Sequence, residues 1–193
     1  MKSKPLNQPI LPFASAKAFE TWLKENHASS DGVWIQIFKK ATGKPTVDHP
    51  GALDVALCYG WIDGQSKKYN EESYLQKFTP RRARSMWSKI NIGKVEKLIK
   101  DGKMQPSGQA EIDRAKADGR WDQAYDSPSN MKAPADFLKE LEKHPKAKAF
   151  YETLNKTNLY AFHWRLQTSK KPETRERRMK QFLEMLERGE KFH

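Results

Sequence analysis

The run Gly60-Trp61-Ile62-Asp63-Gly64 sets one carboxylate beside a tryptophan. Phe78-Thr79-Pro80-Arg81-Arg82-Ala83-Arg84-Ser85-Met86-Trp87-Ser88 follows it with three arginines. No acid occurs between Glu72 and Glu96, a gap that holds Lys77, Arg81, Arg82, Arg84, Lys89 and Lys94. Arg81, Arg82, Arg84 and Ser85 come just before an expected helix start at Ser88. Free backbone amides and the helix dipole attract anions to such an end, and guanidinium groups add bidentate recognition of phosphate or carboxylate. The competing reading is a solvated basic loop whose arginines pair with acids elsewhere. No phosphate-loop consensus is present.

Aspartate is depleted in strands, so Asp63 calls for a reason. It is a general base, a hydrogen-bond acceptor for a ligand, or the partner of an arginine. Arg175 and Arg178 fall four residues or so before Met179 and Phe182, near the apolar stripe of the expected last helix. A charge there takes a partner, with Asp63 and a bound anion as candidates, or it snorkels from the stripe's edge. His163 shares a face with Leu159 and Leu166 and reads as a packed core histidine. Cys58 reads as a buried structural thiol, because a helix C-terminus does not favour thiolate. The other histidines, with one cysteine, make no zinc pattern. No metal or cofactor is expected, and no residue is assigned a catalytic role. Bases stacking on Trp61, Phe78 or Trp87 beside the arginines would suit single-stranded nucleic acid; aromatic residues at such spacing also suit a core.

The elements that would position these groups follow from local patterns. Residues 1–13, with Pro5, Pro9 and Pro12, read as an extended lead-in. Ser15 caps a helix to about Asn26. Val33–Phe38 reads as a strand with Val33, Ile35 and Ile37 on one face. A helix runs from Pro50 to Tyr59, and Gly60 closes it in the left-handed position. Trp61–Tyr69 and Ser73–Thr79 form a hairpin around Asn70-Glu71-Glu72. Ser88 opens a helix to Asp101 with Ile92, Val95 and Ile99 as its stripe, and a weaker one runs from Ser107 to Asp118. The remainder is helical: Phe137, Leu138 and Leu141 after Pro134; Ala147, Phe150, Tyr151 and Leu154 after Pro145; then Leu159, Phe162 and Leu166. Met179, Phe182, Leu183 and Leu186 follow Pro172. The class is α+β, a small, mainly antiparallel sheet with helices and a helical C-terminal part. The expected division is an α+β domain over 1–119, a packed linker over 120–133 and a helical region over 134–193.

Composition bounds the partners. The chain of 193 residues carries a formal net charge of +12. The excess is spread over both parts, +7 for 1–119 and +5 for 120–193. A positive field favours anionic partners, although lysine and arginine also serve solubility. One cysteine excludes an internal disulfide and fits a reducing compartment. No apolar run approaches the ~20 residues needed to span a bilayer. The basic start lacks an apolar stretch, so no secretory signal is expected and the location reads as cytoplasmic.

The chain also resembles the YdeI/OmpD-associated, or bacteriocin-protection, family. The resemblance rests on Lys39-Lys40, Ala56-Leu57-Cys58-Tyr59-Gly60-Trp61-Ile62-Asp63-Gly64, and Phe78-Thr79-Pro80-Arg81-Arg82 with Ser85, Trp87-Ser88 and Asn91. It continues through Gly119-Arg120-Trp121 and Ala124-Tyr125 to Glu173-Thr174-Arg175 and Arg178. Ser169-Lys170 stands where similar proteins often have Ala-Lys. The resemblance implies a link to resistance against bacteriocins or antimicrobial peptides and to an outer-membrane porin. A basic protein repels cationic peptides at long range, which argues against their direct sequestration.

The expectation drawn from all this is a small anionic ligand held between the sheet and the last helix, by Trp61, Asp63, Arg81, Arg82, Ser85, Trp87, Asn91 and Arg175. The alternatives are an enzyme on an anionic substrate with Asp63 as base, and a single-stranded nucleic-acid-binding module. Nothing in the sequence reports the oligomeric state.

Overall fold

The computed structural model describes residues 7–193, so Pro5 and the start of the lead-in lie outside the described residues. Among them are four strands and eight α-helices, an α+β fold. The described chain divides into two compact units. One holds the residues up to Trp87 together with Asn91–Gln123; the other holds Ser88–Ile90 and Ala124–His193.

The first unit is built on a sheet ordered β1-β2-β4-β3. β2 (Val33–Phe38) pairs antiparallel with β4 (Ser73–Pro80), which pairs antiparallel with β3 (Trp61–Lys68). β1 (Ile10–Pro12), within the segment read as an extended lead-in, adds a parallel edge to β2. Pro9 and Pro12 mask this strand in the sequence. At an edge, proline's missing donor is tolerated, and the Pro9 carbonyl accepts the Trp34 amide at 2.9 Å.

Val33, Ile35, Ile37, Trp61 and Phe78 are buried on one face of the sheet, as the alternation requires. α1 (Ala16–Asn26) packs there through Phe19, 5.5 Å from the Phe78 ring, and Trp22, 5.8 Å from Trp61. Ser15 caps α1 by accepting the Ala18 amide at 3.2 Å. α2 (His49–Cys58) is capped by Asp48, which accepts the Gly51 amide at 2.8 Å. Gly60 follows α2 at φ +75, and the chain enters β3 directly.

α3 (Lys89–Lys100) buries Val95 and Leu98. Ile99, expected in its stripe, is 42% exposed. The burying seam runs through 95 and 98, and Ile99 is rotated about 100° from Leu98 toward solvent. α4 (Pro106–Ala117) lies close against the end of α2; a Cβ on Gly108 would overlap the Cys58 carbonyl.

The second unit contains α5 (Ala135–Leu141), α6 (Pro145–Glu152), α7 (Lys156–Gln167) and α8 (Pro172–Glu187). Phe137, Leu141, Ala147, Leu154, Phe162, Leu166, Phe182, Leu183 and Leu186 form its core. Leu138, expected beside Phe137, is 40% exposed. Ser88 makes a parallel bridge to Tyr125, and the Lys89 amide donates to the Tyr125 carbonyl at 2.9 Å.

Candidate functional site

The hairpin brings Trp61, Asp63 and the start of the arginine run to one end of the first unit. Trp61 lies opposite Pro80 and Asp63 opposite Phe78, and the Arg81 amide donates to the Gly60 carbonyl at 2.9 Å. Trp61 is buried, with its indole N–H donating to the His27 carbonyl at 3.2 Å. Its place is the packing layer under the sheet.

Asp63 accepts from His49 Nε2, with a 3.0 Å separation from Oδ2. Both side chains are about one-third exposed, at 36% for His49 and 29% for Asp63. The hydrogen bond to Asp63 raises the His49 pKa above its ordinary value, against the opposing effect of burial. The carboxylate therefore favours imidazolium and fixes the ring's orientation. Lys94 and Asp54 form a neighbouring ion pair at 2.5 Å. A pair of this kind can hold an anion or relay a proton.

The sequence offers little warning of His49. It opens a helix fourteen residues before Asp63, and only the docking of α2 under β3 joins them. The available signal is local: Asp48-His49-Pro50 marks a helix start whose first residue faces the neighbouring strand.

The arginines divide into a structural one and two exposed ones. Arg81 is only 6% exposed. Its guanidinium lies 3.7 Å over the Trp87 ring and donates through Nη2 to the Met86 carbonyl at 2.8 Å. Trp87 is buried, with its ring 5.1 Å from that of Trp121 and tilted by 57° to it. Arg120 completes this cluster: it donates to the Ser85 carbonyl at 2.7 Å and pairs with Asp118. That ion pair holds the Asp118 carboxyl below the usual range. Arg81 and Arg120 thus brace the loop before α3.

Arg82 and Arg84 are exposed on that loop. The Arg82 amide donates to Ser85 Oγ at 3.0 Å, and the Ser85 amide returns a bond to the Arg82 carbonyl at 2.8 Å. Among the described residues neither Arg82 nor Arg84 meets a carboxylate. Asn91 is half-buried in the first turn of α3. Trp61, Phe78 and Trp87 are all buried, so none of these rings presents a free face to a base.

Arg175 belongs to the second unit and finds its acid there. It makes a bidentate pair with Asp136, at 2.7 Å from Nε and 2.6 Å from Nη2. This contact holds the Asp136 carboxyl below the usual range. Arg175 Nη1 also donates to the Leu166 carbonyl at 2.6 Å. Arg178 donates to the Arg165 carbonyl at 2.6 Å and to Ser169 Oγ at 2.8 Å. Both arginines therefore satisfy carbonyls in the last turn of α7, where four have no helical partner and positive charge is favoured. From the sequence, Asp63, a bound anion or solvent stand as their partners; the end of α7 leaves no mark in the linear pattern.

Among the described residues no group of three His, Cys, Asp or Glu could hold a metal ion. No helix there is long and apolar enough to cross a membrane. Cys58 is buried, and burial pushes its thiol up to about 11, so it is not a poised nucleophile. His163 is 6% exposed and bonded at 2.7 Å to the Tyr151 hydroxyl, and burial lowers its pKa.

Comparison with known proteins finds two family matches. Residues 11–111, with the Ala56–Gly64 and Phe78–Asn91 stretches, match the family described as Domain of unknown function (DUF8412). Residues 130–189, with Glu173-Thr174-Arg175 and Arg178, match the one described as Bacteriocin-protection, YdeI or OmpD-Associated. The resemblance to that second family, drawn along nearly the whole chain, is thus carried by the C-terminal segment. No curated protein and no solved structure matches. With more than half of its length in the first match, the chain belongs to the DUF8412 family, and it carries a bacteriocin-protection, YdeI/OmpD-associated segment at 130–189.

Proposed function

We propose that this protein serves bacteriocin or antimicrobial-peptide protection by binding a small anion, phosphate- or carboxylate-bearing, on the arginine loop of its first unit. The observation that carries the reading is the pair Arg82 and Arg84: exposed, without a carboxylate among the described residues, on a loop braced by Arg81, Ser85 and Arg120. A braced loop loses little entropy when its charged groups are engaged. Arg81 and Trp87 support the loop from beneath. Arg175 drops out of the binding set, because Asp136 and the end of α7 already occupy its guanidinium.

The test is a thermal-shift screen of phosphates, nucleotides and small carboxylates at constant ionic strength, which holds general screening fixed. A ligand at a hundred times its Kd stabilises by about 2.7 kcal/mol. For a chain of this size that raises Tm by roughly 5–10 °C. The shift should vanish in Arg82→Ala/Arg84→Ala, whose own melting should match the parent. An equal shift in the double variant would move the site elsewhere. The enzyme reading rests on the His49–Asp63 pair instead. Turnover of any hit by the parent, lost in Asp63→Asn with binding kept, would favour it.

A further inference from the structure

The second unit holds a groove of about 450 Å³ along α8, closed on its other side by the end of α5 and the turn after it. Met179 and Leu183 form its floor, and Glu140, Glu176, Glu184 and Glu187 ring it. The charge distribution is the unexpected part. Residues 124–193 contain 15 Lys/Arg against 10 Asp/Glu. The groove nevertheless takes four of those acids and one lysine, Lys180, with His144 also in its lining.

Two of the four are already engaged: Glu140 by Lys143 at 2.7 Å, and Glu187 by His144 of the groove's own lining at 2.7 Å. Glu176 and Glu184 meet no cation among the described residues within ion-pair distance, and both are exposed. They flank Lys180 at four residues on either side, on the same face of α8. An apolar floor under a carboxylate rim suits a side chain with an aliphatic stem and a cationic head, or adjacent apolar and basic residues of one helix. The volume admits two or three side chains.

We infer that this groove docks a basic amphipathic peptide segment, with apolar side chains on Met179 and Leu183 and lysine or arginine heads on Glu176 and Glu184. Charge complementarity selects this occupant. An acidic segment meets four carboxylates, and a neutral one leaves Glu176 and Glu184 without new partners. The net charge of +12 opposes approach at long range, but screening limits that repulsion to about 8 Å at physiological salt. The rim then acts at contact distance. This inference is independent of the arginine loop.

The test uses the full chain and a fluorescein-labelled fourteen-residue leucine–lysine amphipathic peptide, with its leucine–glutamate counterpart as control. Anisotropy should show saturable binding of the lysine peptide only, weakening as salt rises from 50 to roughly 300 mM. Glu176→Lys/Glu184→Lys should weaken it at least tenfold, with an unchanged urea midpoint, because both positions are exposed. Arg82→Ala/Arg84→Ala should leave peptide binding intact, which separates this site from the anion site. Equal binding of the two peptides, or full binding by the charge-reversed variant, would overturn the inference. So would self-association of the chain that the same reversal abolishes, since the occupant would then be a second copy.

Discussion

At the level of single residues, Asp63 and Arg81 show how one motif divides its labour. Asp63 is committed to His49, and Arg81 to the Trp87 ring and the Met86 carbonyl. The pair His49–Asp63 has a pH signature. The folded His49 pKa lies above its ordinary value of 6.5. The pair's contribution to stability is therefore fully present below that value and is lost as pH rises through the folded pKa. Urea melts of parent and His49→Gln between pH 5 and 8 should show the parent's advantage shrinking toward alkaline pH; a constant difference would mean that the imidazolium contributes nothing. Arg81→Lys should cost about 1–3 kcal/mol, because an ammonium cannot both stack on Trp87 and reach the Met86 carbonyl. A melt within error of the parent would contradict that role.

Among the elements, α7 and α8 are joined by cation-to-carbonyl contacts as well as by apolar packing. Arg175 and Arg178 close the last turn of α7 from the next helix. Arg175→Ala should destabilise by about 1–2 kcal/mol, from one charged hydrogen bond and a partly solvated ion pair. The effect stays below that of breaking a buried pair because Asp136 is 49% exposed and rehydrates. Arg177→Ala, on an exposed position, should stay within about 0.5 kcal/mol. Equal effects in urea would place Arg175 on the surface. Between α2 and α4, Gly108→Ala should cost about 1–3 kcal/mol, since the added methyl meets the Cys58 carbonyl. A neutral result would show that α4 can shift away without loss.

For the whole molecule the governing quantity is the charge of +12. Any single-stranded oligonucleotide bound at low salt should lose affinity with a log–log slope of about −0.7 per phosphate contacted. A flat salt response would show that phosphate contacts do not carry the binding.

Local rules carried much of the fold. The Ser15 cap, the Val33–Phe38 strand, the hairpin, the left-handed Gly60 and the stripe of α8 each depend on neighbours in sequence, so residue type and spacing were enough to read them. The acid-free arginine run and its position before a helix were legible for the same reason. Tertiary packing decided the rest. β1 is a strand only because β2 supplies its partner. His49 meets Asp63 only because α2 docks beneath β3. Arg81 is buried and Arg82 exposed, although they are adjacent and chemically alike, because the Trp87 ring covers one of them. Partner identity for a charged side chain depends on which elements meet in space, and the linear pattern holds no record of that.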